Sequence, residues 1–205
     1  MRNSGKHLHI ISFDIPYPAN YGGVIDVFYK LRALVSAGVK VHLHAFQYGR
    51  QSSKILEELC ESVHYYQRDV SKSQLFLKEP YIVVSRSSEQ LIRNLLSDDY
   101  PILFEGLHST HYLNDERLKK RKKIVRTHNI EHEYYKNLAK AESNIFKRYY
   151  FYNESSKLEI YESILLNADI IAAISPNDTK YFNSKYGNAH YIPAFHSFTK
   201  VNSRA

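Results

Sequence analysis

Apolar positions along the chain fall either into short unbroken runs or into longer stretches where they recur every three or four residues. Leu8 to Phe13 (LHIISF) is a run of the first kind and reads as a buried strand. The turn formers DIPYPANYGG follow and end in Gly22 and Gly23. Val24, Val27, Phe28, Leu31, Leu34 and Val35 then keep helical spacing, with Gly38 where a C-terminal cap belongs. Next, Val39, Val41, Leu43 and Ala45 alternate with Lys40, His42 and His44, the period of a strand. Strand, helix and strand in this order make a βαβ unit, for which parallel strands and a right-handed crossover are expected.

The alternation continues with a helix near 53–61, a strand at 62–66 and a helix near 87–97, while 70–86 gives no clear pattern. Pro101–Glu105 (PILFE) and Lys123–Thr127 (KIVRT) read as strands, and a helical region from about 130 to 167 leads to the strand Asp169–Ile174 (DIIAAI). Ser175 can cap the next helix, with Pro176 at its first position and Asp178 favourable to its dipole, before a last strand at His190–Ile192. The fold class expected is α/β, a Rossmann-like doubly wound, mainly parallel sheet with helices on both faces. One domain over 1–195 is expected, with 196–205 starting a linker or tail. Such sheets bind ligands at the carboxyl ends of their strands. That rule singles out Asp14, Tyr17, Gly22 and Gly23 after the first strand, Glu105 and His108, then His128, Asn129 and Glu131, and finally Ser175.

At 205 residues the chain can hold one large domain but not two of ordinary size. The single Cys60 excludes an intrachain disulfide and a multi-cysteine metal site, so a cytoplasmic setting is the default expectation. The first apolar stretch is short, contains His9 and does not read as a cleavable signal. No segment approaches the roughly 18–20 unbroken apolar residues of a membrane span, since Ile164–Ile174 is interrupted by Asn167 and Asp169. A net charge of +7 favours anionic partners without choosing among nucleotide sugars, lipid head groups and nucleic acid. The run Lys119, Lys120, Arg121, Lys122, Lys123 reads first as a solvated loop, with a membrane-surface patch or a nucleic-acid contact as weaker readings. Tyr149, Tyr150, Phe151 and Tyr152 are consecutive, point all around a helix and make no stacking platform, so no specific nucleic-acid partner is expected.

Gly22 and Gly23 open a helix where backbone N–H groups and the dipole can accept a phosphate, although spacing alone reads more simply as turn glycines. Neither a G-x-G-x-x-G nor a G-x-x-x-x-G-K-[ST] motif is present, which disfavours dinucleotide and P-loop chemistry. His128 to His132 (HNIEH) matches H-x-x-E-H, a zinc-hydrolase pattern that needs both histidines on one helix face with Glu131 as base. His128 directly follows a strand pattern, which argues against that geometry. Glu105 or His108 could orient a sugar hydroxyl or take its proton, whereas a lone histidine, His108 or any of the other ten, reads more simply as a surface or capping residue. Asp14 and Tyr17 also fit turn chemistry.

Taken in order, FDIPYPANYGGVIDVFYKLRALVSAGVKVHLHAF, FEGLHS, VRTHNIEHEYY and NADIIAAISPNDTKYF resemble the N-terminal domain of family 4 glycosyltransferases. These are retaining, nucleotide-sugar-dependent enzymes that include many bacterial mannosyl- and glucosyltransferases. The resemblance spans most of the chain and implies the acceptor-side half of a two-domain GT-B enzyme of polysaccharide biosynthesis. Such an enzyme moves a sugar from a nucleotide diphosphate to a glycan or lipid-linked acceptor, with no metal or other cofactor required. It places Gly22 and Gly23 near the donor diphosphate or the acceptor and makes Glu105, His108 and His128 the candidate catalytic residues. Asp14, Tyr17, Gly22, Gly23, Asn129, Glu131 and Ser175 become the candidate substrate- or phosphate-binding residues. His128 and Asn129 match the family's frequent His-Asn, whereas its His-x-His-like strand end is not kept. The family's donor domain, with a basic pair and a Glu-x7-Glu motif, is not among these residues. The implied partners are therefore that C-terminal domain, in the same or a separate chain, and the acceptor, with peripheral contact at the inner face of an anionic membrane; the chain alone is expected to be inactive. Two other readings stay open, a non-catalytic glycan- or protein-binding module on the same fold and a zinc hydrolase.

Overall fold

The computed structural model of the protein describes residues 6–198. Seven strands form one sheet: β1 (His7–Ser12), β2 (Lys40–Gln47), β3 (Ser62–Gln67), β4 (Ile102–Glu105), β5 (Lys123–Thr127), β6 (Ile170–Ala173) and β7 (Ala189–Tyr191). Every pairing is parallel, and the spatial order is β3-β2-β1-β4-β5-β6-β7. The order reverses between β1 and β4, so the loops leaving these strands part there and open a crevice at their carboxyl ends. The helices are α1 (Gly22–Ser36), α2 (Lys54–Leu59), α3 (Tyr81–Val84), α4 (Glu89–Leu95), α5 (Glu131–Ala141), α6 (Ile145–Tyr161) and α7 (Pro176–Tyr186).

Burial of two apolar sheet faces produces two cores. Val27, Phe28 and Leu31 of α1, with Leu56 of α2, pack on Ile10, Val41, Leu43 and Leu103. On the other face Ile82, Ile92, Leu158 and Phe182 pack on Ile11, Phe104, Val125 and Ile171. Each large side chain so buried contributes about 1.5–3 kcal/mol. Both ends of α7 follow from local chemistry: Ser175 Oγ accepts from Asp178 N at 3.1 Å, Pro176 stands in the first turn, and Gly187 closes the helix at φ 75°.

The helical region read over 130–167 is two helices and a 3-10 turn, Glu162–Asn167. Asn144 breaks it: its Oδ1 accepts from Phe146 N at 3.0 Å and Lys147 N at 3.1 Å, a cap that starts a new helix where the spacing suggested continuation. Within 70–86, Pro80 stands immediately before α3. The histidines of β1 and β2 differ most from expectation. His9 is 3% exposed and His44 is fully buried, because α4 and the Asp98–Tyr100 turn close over what alternation presents as a polar face. The basic run is not uniformly solvated either. Arg121 is buried and donates to the carbonyls of Leu95 (2.6 Å), Asp98 (2.8 Å) and Tyr100 (2.6 Å), and Lys123 Nζ donates to that of Leu113 (2.9 Å).

Candidate active site

The loop after β1 is shaped by Asp14. One carboxylate oxygen accepts from Ile15 N and the other from the Tyr21 hydroxyl, both at 2.8 Å, so Asp14 is spent inside the loop. Burial and this neighbouring carboxylate push the Tyr21 phenol above its ordinary range. The loop delivers Tyr21, Gly22 and Gly23 to one wall of the crevice. A Cβ on Gly23 would lie 2.7 Å from the Phe13 ring, which would have to move aside to admit a side chain there, whereas Gly22 faces open space. Tyr21 provides no side-chain cap to α1, leaving first-turn amides directed at the same space. Tyr17 stands aside from it, its ring 5.3 Å from that of Phe28.

The crevice is a cleft of about 570 Å³ whose walls include Phe13, Tyr21, His108, Asn129, Glu131 and Phe195. Glu131, in the first turn of α5, and His108, in the 3-10 turn after β4, approach to 3.9 Å between Oε1 and Nδ1. Gly106 makes that approach possible: its φ of 69° turns the chain sharply after β4, and His108 Nδ1 sits 3.0 Å from where a Cβ would be. Neither facing atom has a hydrogen-bond partner among the described residues. Burial raises the Glu131 carboxyl to about 7 against the opposing pull of Asn129 and Arg86. Burial, with Arg86 adding to it, holds the His108 imidazole well below its ordinary value, so it is neutral. The pair is a carboxyl that titrates near neutrality beside an uncharged ring.

Beneath the cleft lies a second, fully compensated set of charges. Lys30 Nζ stands 2.8 Å from Asp26 Oδ2 and 2.9 Å from Glu105 Oε1. Arg126 forks onto Asp26, at 3.1 Å from Nε and 3.0 Å from Nη2. His128 Nε2 lies 3.3 Å from Glu105 Oε2. Burial alone would raise both carboxyls, but Lys30, Arg126 and His128 outweigh it and hold Asp26 and Glu105 low. The set also ties down the chain after β7: Phe195 N donates to Asp26 Oδ1 at 2.8 Å, and Arg126 Nη1 and Nη2 donate to the carbonyls of Ile192 (2.5 Å) and Pro193 (3.1 Å). Ala194, Phe195 and His196 thereby become a wall of the cleft.

Of the residues singled out from sequence, Gly22, Gly23, His108, His128, Asn129 and Glu131 meet at this cleft. Glu105 is sealed below it with no solvent exposure, so it can act only through Lys30 and His128. Asp14 and Tyr17 belong to the loop, and Ser175 is spent as the cap of α7. The two histidines of the H-x-x-E-H segment serve different carboxylates, His128 that of Glu105 and His132 that of Glu162 at 3.1 Å, so they do not converge on a zinc ion. Asp26, Glu105 and His128 place ligand atoms within 4.8 Å of one another, but the Lys30 ammonium stands between the two carboxylates where a cation would sit. Asp26, Lys30 and Arg126 gave no signal in the sequence. Asp26 and Lys30 read as the polar side of α1 and Arg126 as the polar letter of a strand; only their shared position at the carboxyl edge unites them.

Residues 199–205, most of the expected tail, lie outside the described residues. No helix among the described residues is long and apolar enough to cross a membrane.

No family model matches the sequence. The chain is 31% identical over 197 residues to an uncharacterized 44.6 kDa protein in the cps region of Klebsiella pneumoniae, a match covering 92% of this chain and 50% of that protein. The chain thus spans about half the length of this curated relative. Among solved structures it is similar to Phytolacca americana UGT2 complexed with UDP-2fluoro-glucose and pterostilbene (12% identity, TM-score 0.54, covering 93% of this chain and 54% of that one). It is similar to a Medicago truncatula UGT complexed with UDP-glucose (12% identity, TM-score 0.55, 93% and 52%). A Polygonum tinctorium UDP-glucosyltransferase capable of glucosylating indoxyl gives 10% identity and a TM-score of 0.50, covering 94% and 53%. The fold is therefore the Rossmann-like α/β fold found in GT-B glycosyltransferases.

Proposed function

We propose that this chain is the acceptor-side half of a retaining glycosyltransferase that moves a mannose- or glucose-type sugar from a nucleotide diphosphate to a hydroxyl of a glycan or lipid-linked acceptor. The observation that carries the reading is the unpaired Glu131–His108 couple in a cleft at the strand ends. A carboxyl that titrates near 7 can hold an acceptor hydroxyl and take up its proton at neutral pH. The neutral His108 ring beside it can fix the hydroxyl's orientation. The first turn of α1 at Gly22 and Gly23 opens on the same cleft and favours a diphosphate by its free amides and dipole, so leaving-group charge needs no metal. His128, held by Glu105, is a positioning residue on the cleft floor. The relative encoded in a cps region accords with polysaccharide synthesis. In this reading the nucleotide is held chiefly by a second domain, in the same or a separate chain.

The test is transfer from a panel of nucleotide sugars, by this chain alone and mixed with a donor-binding domain. Activity only in the mixture, lowered about 100-fold by Glu131→Gln, is the expected result. Transfer by the chain alone, or an unaffected E131Q, would overturn it.

A further inference from the structure

The hairpin of α5 and α6 carries surface chemistry that neither the cores nor the cleft uses. Its two arms are stitched at the base, where Ser155 Oγ donates to the carbonyl of His132 at 2.8 Å and Phe151 meets Tyr135 edge-on. From Ser155 the chain still descends to the amino end of β6, and α5 starts at the carboxyl end of β5. The distal turns therefore stand off the carboxyl edge of the sheet, on the side of the cleft. No side chain from 140 to 149 is buried. Ile145 is 63% exposed, Phe146 82% and Tyr149 75%, and at 3.6 residues per turn these fall on one stripe at the distal end of α6, a stripe that exposed Ile160 continues below the base. The opposite stripe, Glu154, Ser155 and Leu158, is the buried one. Single exposed apolar residues are ordinary, but large ones grouped on one projecting tip mark a surface that meets something apolar.

Charge identifies the occupant. Between 136 and 148 the hairpin carries Lys136, Lys140, Lys147 and Arg148 against Glu142 alone. Apolar side chains ringed by cations match a surface whose interior is hydrocarbon and whose rim is phosphate. We infer that the hairpin tip docks on an anionic lipid bilayer, with Ile145, Phe146 and Tyr149 entering the head-group boundary and Lys140, Lys147 and Arg148 lying among the phosphates. Docking in this way sets the membrane beside the cleft, since the cleft-lining Tyr134 is on the same hairpin. The inference goes beyond the transfer reading and does not rest on it.

The experiment is flotation of the chain with vesicles of phosphatidylcholine alone and of phosphatidylcholine with about one third phosphatidylglycerol. Wild type is compared with the pairs Phe146→Ser/Tyr149→Ser and Lys147→Glu/Arg148→Glu, all at exposed positions, with circular dichroism checking the fold. Molar mass by light scattering is followed over a range of concentrations. Binding to the anionic vesicles alone, weakened at least about tenfold in each paired variant and by added salt in the wild type, is expected. Absence of binding, or binding indifferent to both pairs, would overturn the inference. So would a concentration-dependent dimer that the aromatic pair abolishes, which would make a second copy the occupant.

Discussion

Glu131 and Asp26 are buried carboxyls at the same cleft, and their surroundings push them in opposite directions. For Glu131 burial outweighs the pull of Asn129 and Arg86 and raises the carboxyl to about 7, so the folded chain holds a proton that the unfolded chain releases near 4.5. Its folded value is the higher one, so its contribution is present below about 4.5 and is lost as pH rises to about 7. Replacing it by glutamine is expected to stabilise the fold at pH 8 by roughly 1–3 kcal/mol and to change little at pH 4.5, as read from urea midpoints. Asp26 is the reverse case, an anion shared by Lys30, Arg126 and the Phe195 amide. Asp26→Asn leaves an uncompensated guanidinium 1% exposed and is expected to cost about 3–5 kcal/mol in urea unfolding. Unchanged stability would show that the network is not the anchor described.

Among the elements, three histidine-bearing strands carry a hydrogen-bond relay whose polarity can be deduced. Asp98 accepts from His9 Nε2 at 3.0 Å, so His9 Nδ1 is the acceptor toward His44 Nε2 at 2.8 Å. His44 Nδ1 in turn accepts from the Tyr66 hydroxyl at 2.7 Å, whose oxygen accepts from Asn94 Nδ2 at 2.8 Å. Every group is satisfied only while both rings are neutral. Burial lowers His9 to about 4, and lowers His44 as well. Between about 6.5 and 4 the unfolded chain therefore binds protons that the folded chain refuses, and stability falls as pH drops through that window. Glu131 acts in the opposite sense there, so the effect should be measured in the Glu131→Gln background, where His44→Gln is expected to flatten the acid decline. The strands and helices themselves were legible because burial on one side imposes periods of 2 and 3.6 on the letters. The relay was not, because His42 and His44 alternate with apolar letters in the same way whether helix α4 or water covers their face. The break at Asn144 was missed for a related reason: a cap acts through one side chain and leaves the surrounding periodicity intact.

For the whole molecule, the strand order gathers the loops after β1, β4 and β5 over one crevice, which is why six of the residues read from strand ends meet there. What strand-end position could not separate is a side chain facing into the cleft from one turned beneath it, the difference between Glu131 and Glu105. The Phe195 amide offers a check on the assembled wall: its hydrogen exchange is expected to be slow in the wild type and fast in Asp26→Asn, accelerated by a larger factor than the amides of β1 and β4, which follow only the global loss of stability. That tie has a mechanical meaning. The chain leaving β7 is moored to Asp26 and Arg126, and Asp26 shares Lys30 with Glu105, which steadies His128. A load on the chain leaving β7 is thus borne first by the floor of the cleft and only afterwards by the sheet, so pulling on residues 192–196 would distort the crevice before it strained a strand.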